Sequence, residues 1–140
     1  MRRLAPLLGV SLLLAGCGGE RTVLPTAKEV VGTVPTSTQA SVPAGNAQAG
    51  AGLFKSQGCN GCHTFKPAGS NAKIGPDLDK LAQYAKNANQ GSLAAFAFES
   101  IKNPAAYTEP GYQNAAPMPN FGQTLSDNQI ADLVAYLTKG

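Results

Sequence analysis

The segment Cys59-Asn60-Gly61-Cys62-His63 contains the single histidine of the chain and two of its three cysteines. The spacing C-x-x-C-H is the attachment signature of c-type haem. Two thiols at this spacing can add to the two porphyrin vinyl groups as thioethers, and a histidine directly after the second thiol can coordinate the iron. We therefore predict one covalent haem c on Cys59 and Cys62, with His63 as an axial ligand of the iron.

Three other interpretations of this motif are chemically possible. A structural zinc site needs four ligands, and the sequence offers only Cys17 as a further cysteine or histidine donor. A thioredoxin-like pair would follow a strand in a βαβ context, which the surrounding pattern does not indicate. A disulfide between Cys59 and Cys62 suits an oxidising compartment but leaves His63 without a role. The haem interpretation is favoured because it uses all three residues.

Met118 is the candidate for the second axial ligand. It is the only methionine after Met1, and it stands in the stiff loop Ala116-Pro117-Met118-Pro119 rather than on an aliphatic helix face, where a core-filling methionine is expected. Ligation by His63 and Met118 leaves no iron position open to oxygen or peroxide, so we expect an electron carrier and not an enzyme. The alternative is a haem peroxidase or a haem-based sensor, and both require that Met118 is displaceable.

Four helices must position these residues. Apolar spacings of three and four, together with capping residues, predict helices over residues 46–58, 77–88, 92–102 and 126–139. Asn46 is the predicted cap of the first helix and Gly58 its terminator, while Ser126 and Gln129 form a capping-box pattern. The loops between them are rich in Gly and Pro, so a large apolar cofactor would form the centre of the domain. The predicted class is all-α, with four to five short helices around one covalently bound haem.

The N-terminal part of the sequence has the pattern of a targeting segment. A basic start precedes an apolar run over 4–15 that is shorter than the roughly 20 residues needed to span a bilayer. Leu14-Ala15-Gly16-Cys17 resembles the lipobox of bacterial lipoproteins, in which the cysteine is acylated; an ordinary signal peptide containing a cysteine is the alternative. We predict a lipoprotein signal peptide over 1–16, a lipidated Cys17 with a flexible Pro/Thr/Ser linker over 17–45, and a haem domain over 46–140.

The charge pattern excludes nucleic acid as a partner. The formal charge of +3 falls to +1 when Arg2 and Arg3 leave with the predicted signal peptide, and the lysines are spread among acids. Four lysines can be interpreted in two ways. They either border the exposed haem edge and steer partners, or they are scattered charges that keep the protein soluble. These residues are Lys55, Lys66, Lys73 and Lys80.

Residues 46–140 resemble a class I cytochrome c, the small mono-haem type of bacteria and mitochondria. The matching segments are Gly50, Leu53 and Phe54 in the first helix, Leu133, Tyr136 and Leu137 in the last, Gly75-Pro76-Asp77-Leu78, Ile101 to Pro104, Gly111-Tyr112, and Met118 to Phe121. The resemblance implies that Gly50 permits close approach of the last helix. It also implies that the carbonyl of Pro76 accepts a hydrogen bond from the second ring nitrogen of His63 and so fixes the imidazole.

The resemblance also makes Tyr112 and Asn114 candidates for contact with a haem propionate or with the methionine side of the ring, while residues 85–91 depart from the family.

The resemblance further implies the setting in which the domain works. The implied partners are a membrane-bound electron donor, such as a quinol-oxidising complex, and an acceptor, such as a terminal oxidase or reductase. We therefore expect a membrane-tethered carrier of single electrons between respiratory or photosynthetic partners, lipid-anchored on the extracytoplasmic (periplasmic) side of a bacterial membrane.

Overall fold

The computed structural model describes residues 41–139. The predicted signal peptide, Cys17 and the predicted linker as far as residue 40 lie outside the described residues. The described part contains four α-helices, α1 (Ala47–Ser56), α2 (Leu81–Ala88), α3 (Leu93–Lys102) and α4 (Asp127–Thr138), and one antiparallel ribbon of β1 (Thr64–Phe65) and β2 (Ser70–Asn71). Short 3-10 turns lie at Cys59–Gly61, Lys66–Ala68, Leu78–Lys80, Pro104–Ala106 and Phe121–Gln123. The predicted all-α class is confirmed.

Helix α1 begins after the predicted cap Asn46 and ends at Ser56, two residues before the predicted terminator Gly58. The Asn46 side chain accepts hydrogen bonds from the backbone N–H groups of Gln48 and Ala49, at 2.9 and 3.2 Å. At the other end, Gly58 adopts the left-handed conformation with φ of 73°, which glycine enters without strain. This turn delivers the chain directly into the Cys59–Gly61 segment.

Helix α2 begins later than predicted. The α-helix starts at Leu81, while the preceding residues Leu78–Lys80 form a 3-10 turn. The carboxylate of Asp77 accepts a hydrogen bond from the Asp79 N–H at 3.1 Å, a local bond that tightens the first turn. The last helix, α4, begins as predicted, since Ser126 and Gln129 form a complete capping box.

Helices α1 and α4 cross in close contact. A Cβ atom on Gly50 would collide with the carbonyl oxygen of Asp132 and would lie 2.9 Å from Cβ of Tyr136, so only glycine allows this approach. The Asn46 N–H also donates to Oδ1 of Asp132 at 2.6 Å. Phe54 is 1% exposed, and its ring centroid lies 5.8 Å from that of Tyr136. The crossing that the resemblance implied is therefore present, and it forms one wall of the core.

Candidate functional site

A cavity of about 500 Å³ lies between the helices and the loops that follow α1 and α3. Cys59, Cys62, His63 and Met118 all line it, as do Pro76 and Tyr112. The structure thus brings the predicted haem-site residues of the described chain to one cavity. Asn114 is exposed and is not part of the lining.

The two cysteines and the histidine are held by the 3-10 turn that follows α1. The Cys59 carbonyl accepts hydrogen bonds from the backbone N–H groups of both Cys62 and His63, at 3.2 and 3.1 Å. Cys59 is half-buried and Cys62 is exposed, and no disulfide joins them. Burial raises the pKa of the Cys59 thiol and is the largest effect. A backbone hydrogen bond lowers this pKa, and the neighbouring Cys62 raises it by the smallest amount. The tight turn therefore presents the thiols and the imidazole to the same cavity.

The imidazole of His63 is held in one orientation. Its Nδ1 lies 2.7 Å from the carbonyl oxygen of Pro76, and because a carbonyl can only accept, Nδ1 carries the proton and Nε2 keeps its lone pair. Burial lowers the pKa of His63, an effect that the hydrogen bond to Pro76 partly opposes. A Cβ atom on Gly75 would lie 2.6 Å from Cε1 of the ring. Gly75 and Pro76 therefore form a close-fitting support behind a neutral imidazole.

The loop that carries Met118 forms another part of the lining. Met118 is half-buried and packs against the core between Pro117 and Pro119, which restrict the backbone on both sides. Buried apolar side chains supply much of the remaining lining, among them Leu81, Phe96, Ile101, Phe121 and Leu133.

This lining fits an iron porphyrin. The volume lies within the range of about 300–1,000 Å³ that is usual for cofactor sites, and the apolar walls suit a large flat macrocycle. Two thiols at C-x-x-C spacing can hold such a ring covalently, and the Nε2 lone pair of His63 and the thioether of Met118 are iron donors.

The lining residues that the sequence reasoning missed include Tyr84, Tyr107 and Glu109. The hydroxyl of Tyr107 donates to Oε2 of Glu109 at 3.3 Å. Burial, followed by the charge of Glu109, raises the pKa of Tyr107, and burial also raises the pKa of Tyr84. The loop after α3 has no apolar period, so its sequence carried no signal of which residues turn inward.

None of Lys55, Lys66, Lys73 and Lys80 lines the cavity, although all four are exposed. The Nζ of Lys80 lies 3.5 Å from the carboxylate of Asp77. Among residues 41–139, Glu109 is the only charged residue in the lining.

The fold and the site define a small helical protein that carries a covalent haem. The family model described as Cytochrome c matches residues 47–140. The chain belongs to the cytochrome c family, and its fold is the class I cytochrome c fold. Covalently attached haem c follows from that membership, and the arrangement of Cys59 and Cys62 fits the C-x-x-C-H motif. No curated protein matched the sequence.

Members of the cytochrome c family generally carry electrons, and such domains are typically extracytoplasmic. Within residues 41–139, no helix has the length and apolar character that crossing a membrane requires.

Proposed function

We propose that the chain is a membrane-tethered mono-haem cytochrome that carries single electrons between redox partners outside the cytoplasm. The observation that carries the proposal is that His63 and Met118 line the same cavity. When bound, a haem ligated on both sides by protein atoms supplies a reversible one-electron change and has no position open to oxygen or peroxide. Electron transfer is the chemistry that this ligand set favours.

The residues of the chain have separate roles in this proposal. Cys59 and Cys62 hold the cofactor covalently, which prevents its loss outside the cell. The Pro76 carbonyl orients His63 and strengthens it as a donor. Met118 would supply the second iron ligand, and a thioether in that role would raise the reduction potential relative to a second imidazole. The apolar walls exclude water and act in the same direction.

Carbon monoxide tests the proposed ligation. The reduced protein is mixed with carbon monoxide, and the Soret band is followed over time. A carrier with Met118 firmly bound reacts slowly or not at all. Rapid binding would instead favour the haem peroxidase or haem-based sensor, because both need an iron position that a small molecule can reach.

The proposed tether rests on the likeness of Leu14-Ala15-Gly16-Cys17 to a lipobox, in a segment outside the described residues. Two or more acyl chains on Cys17 give stable anchoring where a single chain gives only marginal binding. A linker over 17–45 would let the haem domain move between a membrane donor, such as a quinol-oxidising complex, and an acceptor, such as a terminal oxidase or reductase. Such tethering provides an effective concentration of about millimolar.

Intact mass and membrane turnover test the tether. The membrane-bound protein should carry one haem and acyl chains on Cys17, and a Cys17→Ser variant should lose the acyl mass and the membrane association. Deletion of residues 22–40, which keeps Val42 and its contact with the core, should leave the reduced-minus-oxidised spectrum intact but slow turnover with membrane partners. An unchanged rate would contradict the shuttle, and a mass without acyl chains would contradict the anchor.

A further inference from the structure

Glu109 places a carboxylate in the wall of an otherwise apolar cavity. It lies in the loop between α3 and Met118 and is half-buried. The other Asp and Glu side chains of residues 41–139 lie outside the lining, and they are Asp77, Asp79, Glu99, Asp127 and Asp132. A half-buried charge is screened by salt much less than an exposed one. Glu109 is therefore the described acidic residue best placed to act on a cofactor in this cavity.

The carboxylate of Glu109 is connected to the buried wall through Tyr107. The hydroxyl of Tyr107 donates a hydrogen bond to Oε2 of Glu109 at 3.3 Å, which stabilises the negative charge. The ring of Tyr107 packs edge-on against Phe96, with 5.5 Å between the ring centroids. Phe96 is itself buried and lines the cavity. This chain of contacts holds the carboxylate at the cavity wall.

The charge of Glu109 acts on lining residues of two separate elements. Burial, followed by this charge, raises the pKa of Tyr107 in the same loop. On α2, burial and the nearby Tyr112 raise the pKa of Tyr84, and Glu109 adds a smaller increase. Tyr84, Tyr107 and Tyr112 all line the cavity. The field of the carboxylate therefore extends beyond its immediate hydrogen-bond partner.

We propose that Glu109 lowers the reduction potential of the haem below the value that the apolar walls and Met118 would otherwise give. The inference rests on the proposed carrier function and concerns the driving force of its electron transfer. Loss of one electron adds one positive charge to the haem iron, so a nearby carboxylate stabilises the oxidised form. Two unit charges about 10 Å apart, at an effective dielectric constant of about 20, shift such an equilibrium by about tenfold.

Substitutions that change the charge at position 109 in steps test the proposal. The haem-loaded full-length protein is titrated with redox mediators, and the absorption spectrum gives the reduction potential. Glu109→Gln removes one negative charge at nearly constant shape and should favour reduction by about tenfold, which is about 59 mV for one electron. Glu109→Lys changes the charge by two and should favour reduction by about a hundredfold. Glu109→Asp keeps the charge and should stay within about threefold of the unsubstituted protein.

Glu99 provides the matched control. Glu99→Gln removes the same charge from an exposed position on α3 outside the lining, and it should shift the equilibrium by less than about twofold. The titrations are repeated from about 0.01 to about 1 M ionic strength, where the Debye length falls from about 30 to about 3 Å. The effect of Glu109→Gln should persist at high salt. Absorption spectra of both oxidation states and thermal unfolding check that the iron ligands and the fold are unchanged.

Two outcomes would overturn the role of Glu109. One is an equal potential in Glu109→Gln and Glu99→Gln. The other is a Glu109→Asp variant shifted as far as Glu109→Gln, because the side chain would then act through packing and not through charge. If Glu109→Lys does not take up haem, the Gln and Asp variants decide. Failure of the carrier function is recognised separately, by rapid carbon monoxide binding to the unsubstituted protein, which leaves the comparison of potentials intact.

Discussion

The carbonyl oxygen of Pro76 accepts a hydrogen bond from Nδ1 of His63 at 2.7 Å. This bond fixes which ring nitrogen is protonated and leaves Nε2 as the donor atom for iron. Gly75 precedes Pro76, and its backbone fills the space behind the His63 ring. The Gly75 N–H also donates a hydrogen bond to the Cys62 carbonyl at 2.7 Å. The orientation of the imidazole therefore depends on a residue that has no side chain.

Substitution of Gly75 by alanine should disturb His63. The added Cβ would lie 2.6 Å from Cε1 and 2.9 Å from Nδ1 of the ring, so the imidazole must move or the loop must open. Overpacking of this kind costs about 1–3 kcal/mol of unfolding free energy. Denaturant unfolding measures the loss, and a shifted reduction potential reports the altered ligand. Gly61→Ala is the control, since its Cβ meets nothing within 4 Å and its stability should change by less than about 0.5 kcal/mol.

The helices of this domain were largely predictable from the sequence because their end signals are local. Asn46, Ser92 and Ser126 each cap the helix that was assigned to them, and each acts through a side chain within three residues of its partner. The start of α2 was wrong because the Asp77 carboxylate bonds to the backbone two residues ahead and favours a 3-10 turn. The ribbon of β1 and β2 was not predicted, since strands of two residues show no alternation.

The two glycines Gly50 and Gly52 in α1 should respond in opposite directions to alanine. Gly50→Ala would place Cβ against the Asp132 carbonyl and force α1 and α4 apart, at a cost of about 1–3 kcal/mol. Gly52→Ala meets nothing within 4 Å and should stabilise the protein by about 0.5–1 kcal/mol through the helix preference of alanine. Urea unfolding of the haem-loaded variants measures both. Equal effects would contradict the close crossing at Gly50.

Removal of the Tyr107 hydroxyl should change stability mainly in alkaline solution. Burial and the Glu109 carboxylate raise the pKa of Tyr107 above its ordinary value of 10.0, so the folded state holds the phenolic proton more tightly than the unfolded state. The resulting stabilisation is complete below about pH 10 and is lost as the pH rises through the folded-state pKa. Tyr107→Phe keeps the ring, whose centroid lies 5.5 Å from that of Phe96, and removes the titrating group.

Urea unfolding from about pH 8 to about pH 11 checks this prediction. The stability of Tyr107→Phe should fall less steeply at alkaline pH than that of the unsubstituted protein, with some decline remaining because Tyr84 also has a raised pKa. At neutral pH the variant should lose about 0.5–1 kcal/mol for the missing hydrogen bond to Glu109. Parallel curves for the two proteins would show that Tyr107 titrates normally.

The candidate site was predictable where chemistry restricts the residue type and unpredictable where only the loop path matters. Cys59, Cys62 and His63 were found because their spacing suits one cofactor. Tyr107 and Glu109 were not found, because they lie in a long loop without regular period whose course is set by packing around the cavity.

Three substitutions of Met118 distinguish an axial ligand from a core-filling side chain. Leucine has nearly the same volume and no sulfur, so Met118→Leu should cost less than about 1.5 kcal/mol if packing is the only role. If the sulfur binds iron, Met118→Leu should instead open the sixth position and permit rapid binding of carbon monoxide to the reduced protein.

Met118→His should close that position again while lowering the reduction potential by an amount on the order of 100 mV, because an imidazole favours ferrous iron less than a thioether does. Met118→Ala should bind carbon monoxide as Met118→Leu does but should unfold more readily, since it also leaves a cavity. Spectroscopic titration of the three purified proteins measures these properties, and a Met118→Leu protein that is unchanged in spectrum and in potential would remove Met118 from the ligand set.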